Sequence, residues 1–272
     1  MGRGYRWEDL HRGPRVSNPL DLFRLDGRVA IVTGGSRGLG AAIGEALSWA
    51  GADVVLTSRT PDVLEARATA IAELTGRSVV GLVGDVSDPD QVEQIVTQVI
   101  DRWGRIDILV NNAGINVRGA IGEIEPKEFD YSLAVNVTGP WLMCRAVEPT
   151  LRRAGRGRVV NIASTFGVVG AANRSAYASS KGALVNMTRA LAIEWAPIGV
   201  TVNAIAPGPF LTDMNIPFKD TEHAKRVIAN EIAMQRWGEI HEIQGAVLYL
   251  ASDASSYVTG AVLTVDGGWT AH

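Results

Sequence analysis

Three side chains within one short stretch have the types and spacing to move a proton at a carbonyl. Residues 164–181, STFGVVGAANRSAYASSK, hold a hydroxyl at Ser164, a phenol at Tyr177 and an ammonium at Lys181. Tyr177 and Lys181 are four apart, so a helix beginning at Asn173 or Ser175 sets both on one face. A lysine close to a phenol stabilises the phenolate and lowers the tyrosine pKa. A tyrosine so tuned can pass a proton near neutral pH. Ser164 ends an apolar run, Val159-Val160-Asn161-Ile162-Ala163, that reads as a buried strand. A hydroxyl at a strand's carboxyl end can polarise a substrate carbonyl. A Tyr-x-x-x-Lys pair also occurs on ordinary helices, so its weight rests on the elements that position it.

Those elements alternate strand and helix. Val29–Thr33 reads as a buried strand, Thr33-Gly-Gly-Ser-Arg-Gly-Leu-Gly40 as a glycine turn, and Ala41–Ala50 as a helix. Val54–Thr57 follows as a strand, and Pro61–Leu74 as a helix with Thr60 as cap and proline in its first turn. Val79–Val83 and Ile106–Val110 are strands either side of a helix over Pro89–Trp103, itself opened by proline behind Asp88. Residues 126–153 read as one long helix and 174–196 as another. Val200–Ile205 is a sixth strand, Glu239–Leu250 a helix, and Val262–Val265 a seventh strand. βα units at this spacing predict a parallel sheet with right-handed crossovers. The expected fold is α/β, a Rossmann-type doubly wound sheet of about seven parallel strands with helices on both faces. Ligands of such sheets lie beyond the carboxyl ends of the strands. The glycine turn, Ser58-Arg59, Asp85, Asn111-Asn112-Ala113-Gly114, Ser164 and Pro207-Gly208 all fall there.

The glycine turn suits a phosphate, because glycines let backbone approach and a helix N-terminus attracts an anion. Walker A fails, since Ala41-Ala42 follow Gly40 in place of Lys-Ser/Thr. A strict GxGxxG fails too, with glycines at 34, 35, 38 and 40. Gly34-Gly-Ser-Arg-Gly38 matches the GxSxG nucleophile elbow. That hydrolase reading needs a later Asp and His and leaves Tyr177 and Lys181 unused.

Composition narrows the classes. With 272 residues and 46% hydrophobic content, the chain has material for a sizeable core. A net charge of -3 argues against nucleic-acid binding. The single cysteine, Cys144, excludes an internal disulfide framework and suits a reducing cytoplasm. The four histidines show no metal-ligand spacing, and no apolar run reaches membrane-spanning length. Residues 1–27, carrying Arg3, Arg6, Arg12 and Arg15 and two prolines, read as an N-terminal arm, packed on a neighbouring subunit or frayed. Residues 28–272 read as one domain, with an aperiodic insertion at 209–237 as a substrate lid.

These residues, taken together, resemble the short-chain dehydrogenase/reductase family. The matches are Thr33-Gly-x-x-x-Gly-x-Gly40, Asp85-Val86, Asn111-Asn-Ala-Gly114, Asn136, Ser164, Tyr177-x-x-x-Lys181, Pro207-Gly208 and Asp266-Gly-Gly268, over residues 25–270. The resemblance implies hydride transfer with a nicotinamide cofactor at a carbonyl or alcohol. It implies a catalytic tetrad of Asn136, Ser164, Tyr177 and Lys181, in which Lys181 also binds the ribose and Asn136 holds a relay water. It implies cofactor contacts from Gly34, Ser36, Arg37, Gly38, Leu39, Gly40, Asp85, Val86, Asn112, Ala113, Gly114, Tyr177, Lys181, Pro207, Gly208 and Thr212. It also implies a homotetramer built on the long helices and the C-terminal strand.

Three finer expectations follow. Gly139-Pro140 interrupts the 126–153 helix, and proline offers no N–H to the carbonyl of Asn136 four residues back, freeing an acceptor for that water. Ser58-Arg59 stand where an acid would take a ribose hydroxyl, roughly 20 residues past the glycine turn. With Arg37 they predict NADP in preference to NAD. Glu194-Trp-Ala-Pro197, Arg236-Trp-Gly238, Asp266-Gly-Gly-Trp269 and Thr212-Asp-Met-Asn215 resemble the gluconate 5-dehydrogenase branch, implying a keto sugar acid or polyol. The runner-up is 3-oxoacyl-carrier-protein reductase, whose acidic carrier needs a basic face; Arg118, Arg152, Arg153, Arg156 and Arg158 are the candidates. A nucleotide sensor without catalysis is the alternative from another class.

Overall fold

The chain folds as a seven-stranded sheet in the order β3-β2-β1-β4-β5-β6-β7, with every pairing parallel. The structure, a computed structural model, describes residues 18–213 and 215–271. The strands are β1 (Val29–Thr33), β2 (Asp53–Ser58), β3 (Val79–Val83), β4 (Ile108–Asn111), β5 (Gly157–Ile162), β6 (Val200–Pro207) and β7 (Val262–Val265). Strands β1, β4, β5 and β6 are buried along their whole length, as β-branched runs flanked by helices on both faces require. Along β1 the side chains alternate. Ala30 and Val32 join one core with Leu47, Leu56 and Ile243; Val29 and Ile31 join another with Met143, Val147 and Trp195.

The helices are α1 (Gly38–Trp49), α2 (Pro61–Thr75), α3 (Pro89–Trp103), α4 (Pro126–Leu133), α5 (Gly139–Ala154), α6 (Ser175–Trp195), α7 (Glu222–Asn230) and α8 (Gln244–Ala251). Pro89 opens α3 as expected, and the Asp88 carboxylate accepts from the N–H groups of Asp90 and Gln91. Thr60 sits at the α2 cap but its hydroxyl makes no capping bond.

Four expectations change in detail. β4 starts at Ile108, because the Asp107 carboxylate accepts the Val29 N–H at 2.9 Å and is itself held by Arg105. Glu239–Leu250 splits into a tight 3-10 turn over Ile240–Ile243 and then α8; a reciprocal Glu239–Glu242 capping box sets the turn. The single helix over 126–153 divides into α4, one π-turn over Ala134–Thr138, and α5. In the π-turn Gly139 N–H reaches the Ala134 carbonyl, a wider i to i+5 closure of the kind that recurs at functional sites. Residues 1–17 of the expected arm lie outside the described residues. The rest of it packs on the domain: Pro19–Phe23 forms a 3-10 turn, and Leu25 is buried with its N–H on Ala50 O at 2.8 Å.

Candidate active site

The carboxyl ends of the strands open into one cavity of about 1000 Å³. Every residue expected at the site lines it except Asn136. The glycine turn residues Gly34, Ser36, Arg37, Gly38, Leu39 and Gly40 form one end with Ser58, Arg59, Asp85 and Val86. Asn112, Ala113 and Gly114 follow, then Pro207, Gly208 and Thr212, with Ser164, Tyr177 and Lys181 in the middle.

Ser164 lies two residues past β5 and is buried; its Oγ accepts the Phe166 N–H at 3.2 Å, and its hydroxyl acts on the phenol of Tyr177. Helix α6 presents Tyr177 and Lys181 one turn apart, as the spacing requires. Burial raises the Tyr177 phenol above its ordinary pKa of 10.0, while Ser164 and the charges of Arg118 and Arg174 pull it back. The expected depression of that pKa by Lys181 is not found. The Lys181 ammonium donates to the Ile162 carbonyl at 2.8 Å and lies over the Tyr177 ring, 5.8 Å from its centre. Burial lowers its own pKa from 10.5 to about 8.

Asn136 is wholly buried, on the π-turn. Its Oδ1 accepts the Ile115 N–H, and its Nδ2 donates to the Ile115 carbonyl and Ser180 Oγ, each at 2.9 Å. The side-chain amide is therefore a brace between the Gly114 loop and α6. Its backbone carbonyl stands opposite Pro140, which brings no N–H to it. Gly139 lets this helix lie against Val86, since a Cβ there would stand 2.8 Å from Val86 Cγ2.

The other end of the cavity fits a dinucleotide. Gly34 adopts φ +66, and a Cβ on Gly40 would come 2.2 Å from the Gly34 carbonyl, so turn and helix need glycine at both places. Asn112 Nδ2 ties the turn by donating to Thr33 O at 2.8 Å and Gly34 O at 3.2 Å. No side chain caps α1, which leaves its first-turn N–H groups facing the cavity for a phosphate. Arg59 reaches Asp85 Oδ2 at 3.6 Å and donates to the Tyr131 hydroxyl. Against its own partial burial, hydrogen bonds from Ser87 and the charge of Arg59 hold the Asp85 carboxyl below its ordinary value.

Residues outside the expected catalytic and cofactor sets also converge there. Arg118 and Arg174 line the cavity, with Phe166 and Trp269. Phe166 packs edge-on against both Tyr177 and Trp269, at ring distances of 6.3 and 5.1 Å. The Asp266 carboxylate sets the turn that brings Trp269 in, accepting from Gly268 N and Thr270 N at 2.9 Å. Arg174 stood in the sequence three places before Tyr177, which is signal enough on a helix. Trp269 gave no comparable sign beyond its Asp-Gly-Gly turn. Of the arginines weighed as a docking face, only Arg118 lines the cavity. Arg158 is buried on Asp253, while Arg152, Arg153 and Arg156 stand at the C-terminus of α5 and the start of β5, the opposite end of the strands. Cys144 is buried, its thiol pushed up to about 12, an inert group. Among the described residues no cluster suits a metal ion, and no helix is long and apolar enough to cross a membrane.

Comparison with known proteins places this geometry. A family model described as enoyl-(acyl carrier protein) reductase matches residues 34–270. The gluconate 5-dehydrogenase of Gluconobacter oxydans (strain 621H) is 37% identical over 255 residues, 94% of this chain and 99% of that protein. A 3-oxoacyl-acyl-carrier-protein reductase of Vibrio harveyi is 37% identical over 246 residues, 90% and 98% of the two chains. The crystal structure of a gluconate 5-dehydrogenase from Burkholderia cenocepacia J2315, in complex with NADP and tartrate, superposes with a TM-score of 0.90 at 34% identity, covering 94% of this chain and 100% of that one. By sequence, by fold and by the placement of its Ser, Tyr and Lys, the chain belongs to the short-chain dehydrogenase/reductase family.

Proposed function

We propose that the protein transfers a hydride between NADP(H) and a small polar carbonyl/alcohol pair of the sugar-acid class. The observation that carries this reading is that Ser164, Tyr177 and Lys181 line one cavity together, with Ser164 acting on the Tyr177 phenol and an uncapped helix N-terminus at the far end. Bound NADPH supplies the hydride. Ser164 steadies the carbonyl oxygen, and Tyr177 gives that oxygen its proton. Lys181 holds the ribose, and with a pKa near 8 it can return a proton toward Tyr177. The Asn136 backbone carbonyl, which Pro140 leaves without its usual donor, holds the relay water. The segment 209–237 serves as a lid: Thr212, Asn215, His223 and Trp237 line the cavity. Leu211 N to Gly238 O (2.9 Å) and Gly238 N to Pro209 O (3.0 Å) join its two ends.

A small substrate is favoured over a carrier-bound acyl chain because most of the candidate docking arginines lie at the far end of the sheet. The deciding assay follows NADPH oxidation with 5-ketogluconate and with acetoacetyl thioester side by side. Turnover of the sugar acid is expected. Fast thioester reduction without sugar-acid activity would reverse the order, and no turnover with any carbonyl would favour a nucleotide sensor.

NADP(H) is favoured by Arg59 and Arg37 at the adenosine end, and by the NADP held in the Burkholderia relative. Asp85 already pairs with Arg59, so a phosphate there gains a guanidinium that is pre-positioned yet partly neutralised. Arg59→Asp is expected to lower the NADPH/NADH ratio of kcat/KM by roughly 10- to 100-fold, the worth of a charge-assisted hydrogen bond. An unchanged ratio would remove Arg59 from this role.

A homotetramer is supported by Phe129 and Trp141 on α4 and α5 and by Ile193 on α6, large apolar side chains left exposed on the long helices. A light-scattering mass of 29.0 kDa would refute it. The lone, buried cysteine suits a cytoplasmic location.

A further inference from the structure

Arg174 sits at the cap of α6, one turn before Tyr177, and faces the cavity. Its Nη1 donates to the Asn173 carbonyl at 3.0 Å. Its Nε is buried without a hydrogen-bond partner among the described residues. The guanidinium lies over the Phe166 ring, 5.8 Å from the centroid. A guanidinium over an aromatic face still has in-plane N–H donors to offer a second partner. No side chain caps α6, so the first-turn N–H groups of that helix add their partial positive charge at the same place.

Arg118 lines the same cavity, with Nη2 on Asn215 Oδ1 at 3.2 Å. The two loops are joined: Gly119 N–H donates to Asn173 O at 3.2 Å, which holds the two cations in one piece of structure. The charges acting on Arg174 are Arg118, which repels it, and the Tyr177 phenol; no carboxylate contributes. Partial burial further disfavours its charge. A half-buried cation beside a second cation, with an orphaned donor, costs the fold free energy. Such local conflicts are found where a ligand completes the arrangement.

We infer that Arg174, with Arg118 beside it, binds the carboxylate of the substrate and so selects oxo-acids over neutral carbonyls. The inference rests on the sugar-acid reading above and names the residues that would enforce it. Tyr177 and Ser164 take the reacting carbonyl, Arg174 takes the acid head group, and Phe166 and Trp269 line the wall between.

The test compares wild type with Arg174→Gln and Arg174→Lys in two measurements. The first is the ratio of kcat/KM for 5-ketogluconate to that for a neutral cyclic diketone. The glutamine variant should lower this ratio roughly 10- to 100-fold, mainly through KM for the acid, as loss of a charged hydrogen-bonding partner implies; lysine should restore part of it. The second is calorimetric titration of tartrate and of inorganic phosphate into the full chain. Tartrate affinity should fall by a similar factor in Arg174→Gln. An unchanged ratio, or tartrate bound equally by variant and wild type, would overturn the inference. Phosphate bound more tightly than tartrate would overturn the carboxylate assignment. If wild type turns over only neutral ketones, the sugar-acid reading falls, and the tartrate titration still decides what Arg174 holds.

Discussion

Tyr177→Phe is expected to lower kcat by about 10²–10⁴-fold, the usual worth of a positioned general acid, with NADP(H) affinity nearly intact. The substitution removes one oxygen and keeps the ring that packs edge-on against Phe166. Ser164 Oγ retains its bond from Phe166 N, so the remaining hydroxyl stays in place. The sign of the tuning matters. Burial holds the Tyr177 phenol above its ordinary pKa, which keeps it protonated near neutral pH, the form a proton donor needs in the reducing direction. Arg118, Arg174 and Ser164 limit that rise and stabilise the phenolate left behind. The tuning thus falls to the substrate end of the cavity, while Lys181 stands over the ring with its ammonium on the Ile162 carbonyl. A variant retaining half the wild-type kcat would sink the assignment of Tyr177 as the acid.

The sheet was readable because its strands are dense in β-branched residues and each reaches a glycine, proline, serine or asparagine at its end or within two residues of it. The glycine turn was readable for a related reason, since Gly40 tolerates no Cβ against Gly34. The catalytic stretch was legible as a spacing, one helical turn between Tyr177 and Lys181. What the spacing could not give is where the ammonium points. That depends on Ile162, nineteen residues away on another element. The Asn136 brace was hidden for the same reason, because its partners are the Ile115 backbone and Ser180, on two other segments. Pro140 did announce a disturbance in the long helix, but only the backbone shows it resolved as a π-turn ahead of the proline. Arg158, weighed as a surface charge, is buried beside Asp253; no local pattern distinguishes a paired arginine from a solvated one.

Lys181→Met should make the protein more stable and less active at once. Lys181 is 3% exposed, and burial lowers its pKa from 10.5 to about 8. At pH 7 it is still largely charged, so the folded state carries a desolvation cost of roughly 3 kcal/mol, from about 1.4 kcal/mol per pKa unit. The unfolded chain binds the proton more tightly than the folded one. Stability of the wild type therefore rises as pH climbs from about 8 to 10.5, where the unfolded lysine also becomes neutral. Methionine fills a similar volume without charge, and such replacements of buried ions are often stabilising. It also abandons the bond to the Ile162 carbonyl, which offsets the gain by about 1 kcal/mol. In urea titrations the variant should exceed wild type by a margin that is largest at pH 7 and shrinks by pH 10.5. Turnover and cofactor affinity should fall together, since the same ammonium is assigned to the ribose and to proton return. A variant less stable than wild type at pH 7, or one whose margin ignores pH, would show that Lys181 is held there for packing. Gain of stability with loss of turnover is the signature of a charge that the fold tolerates for its chemistry.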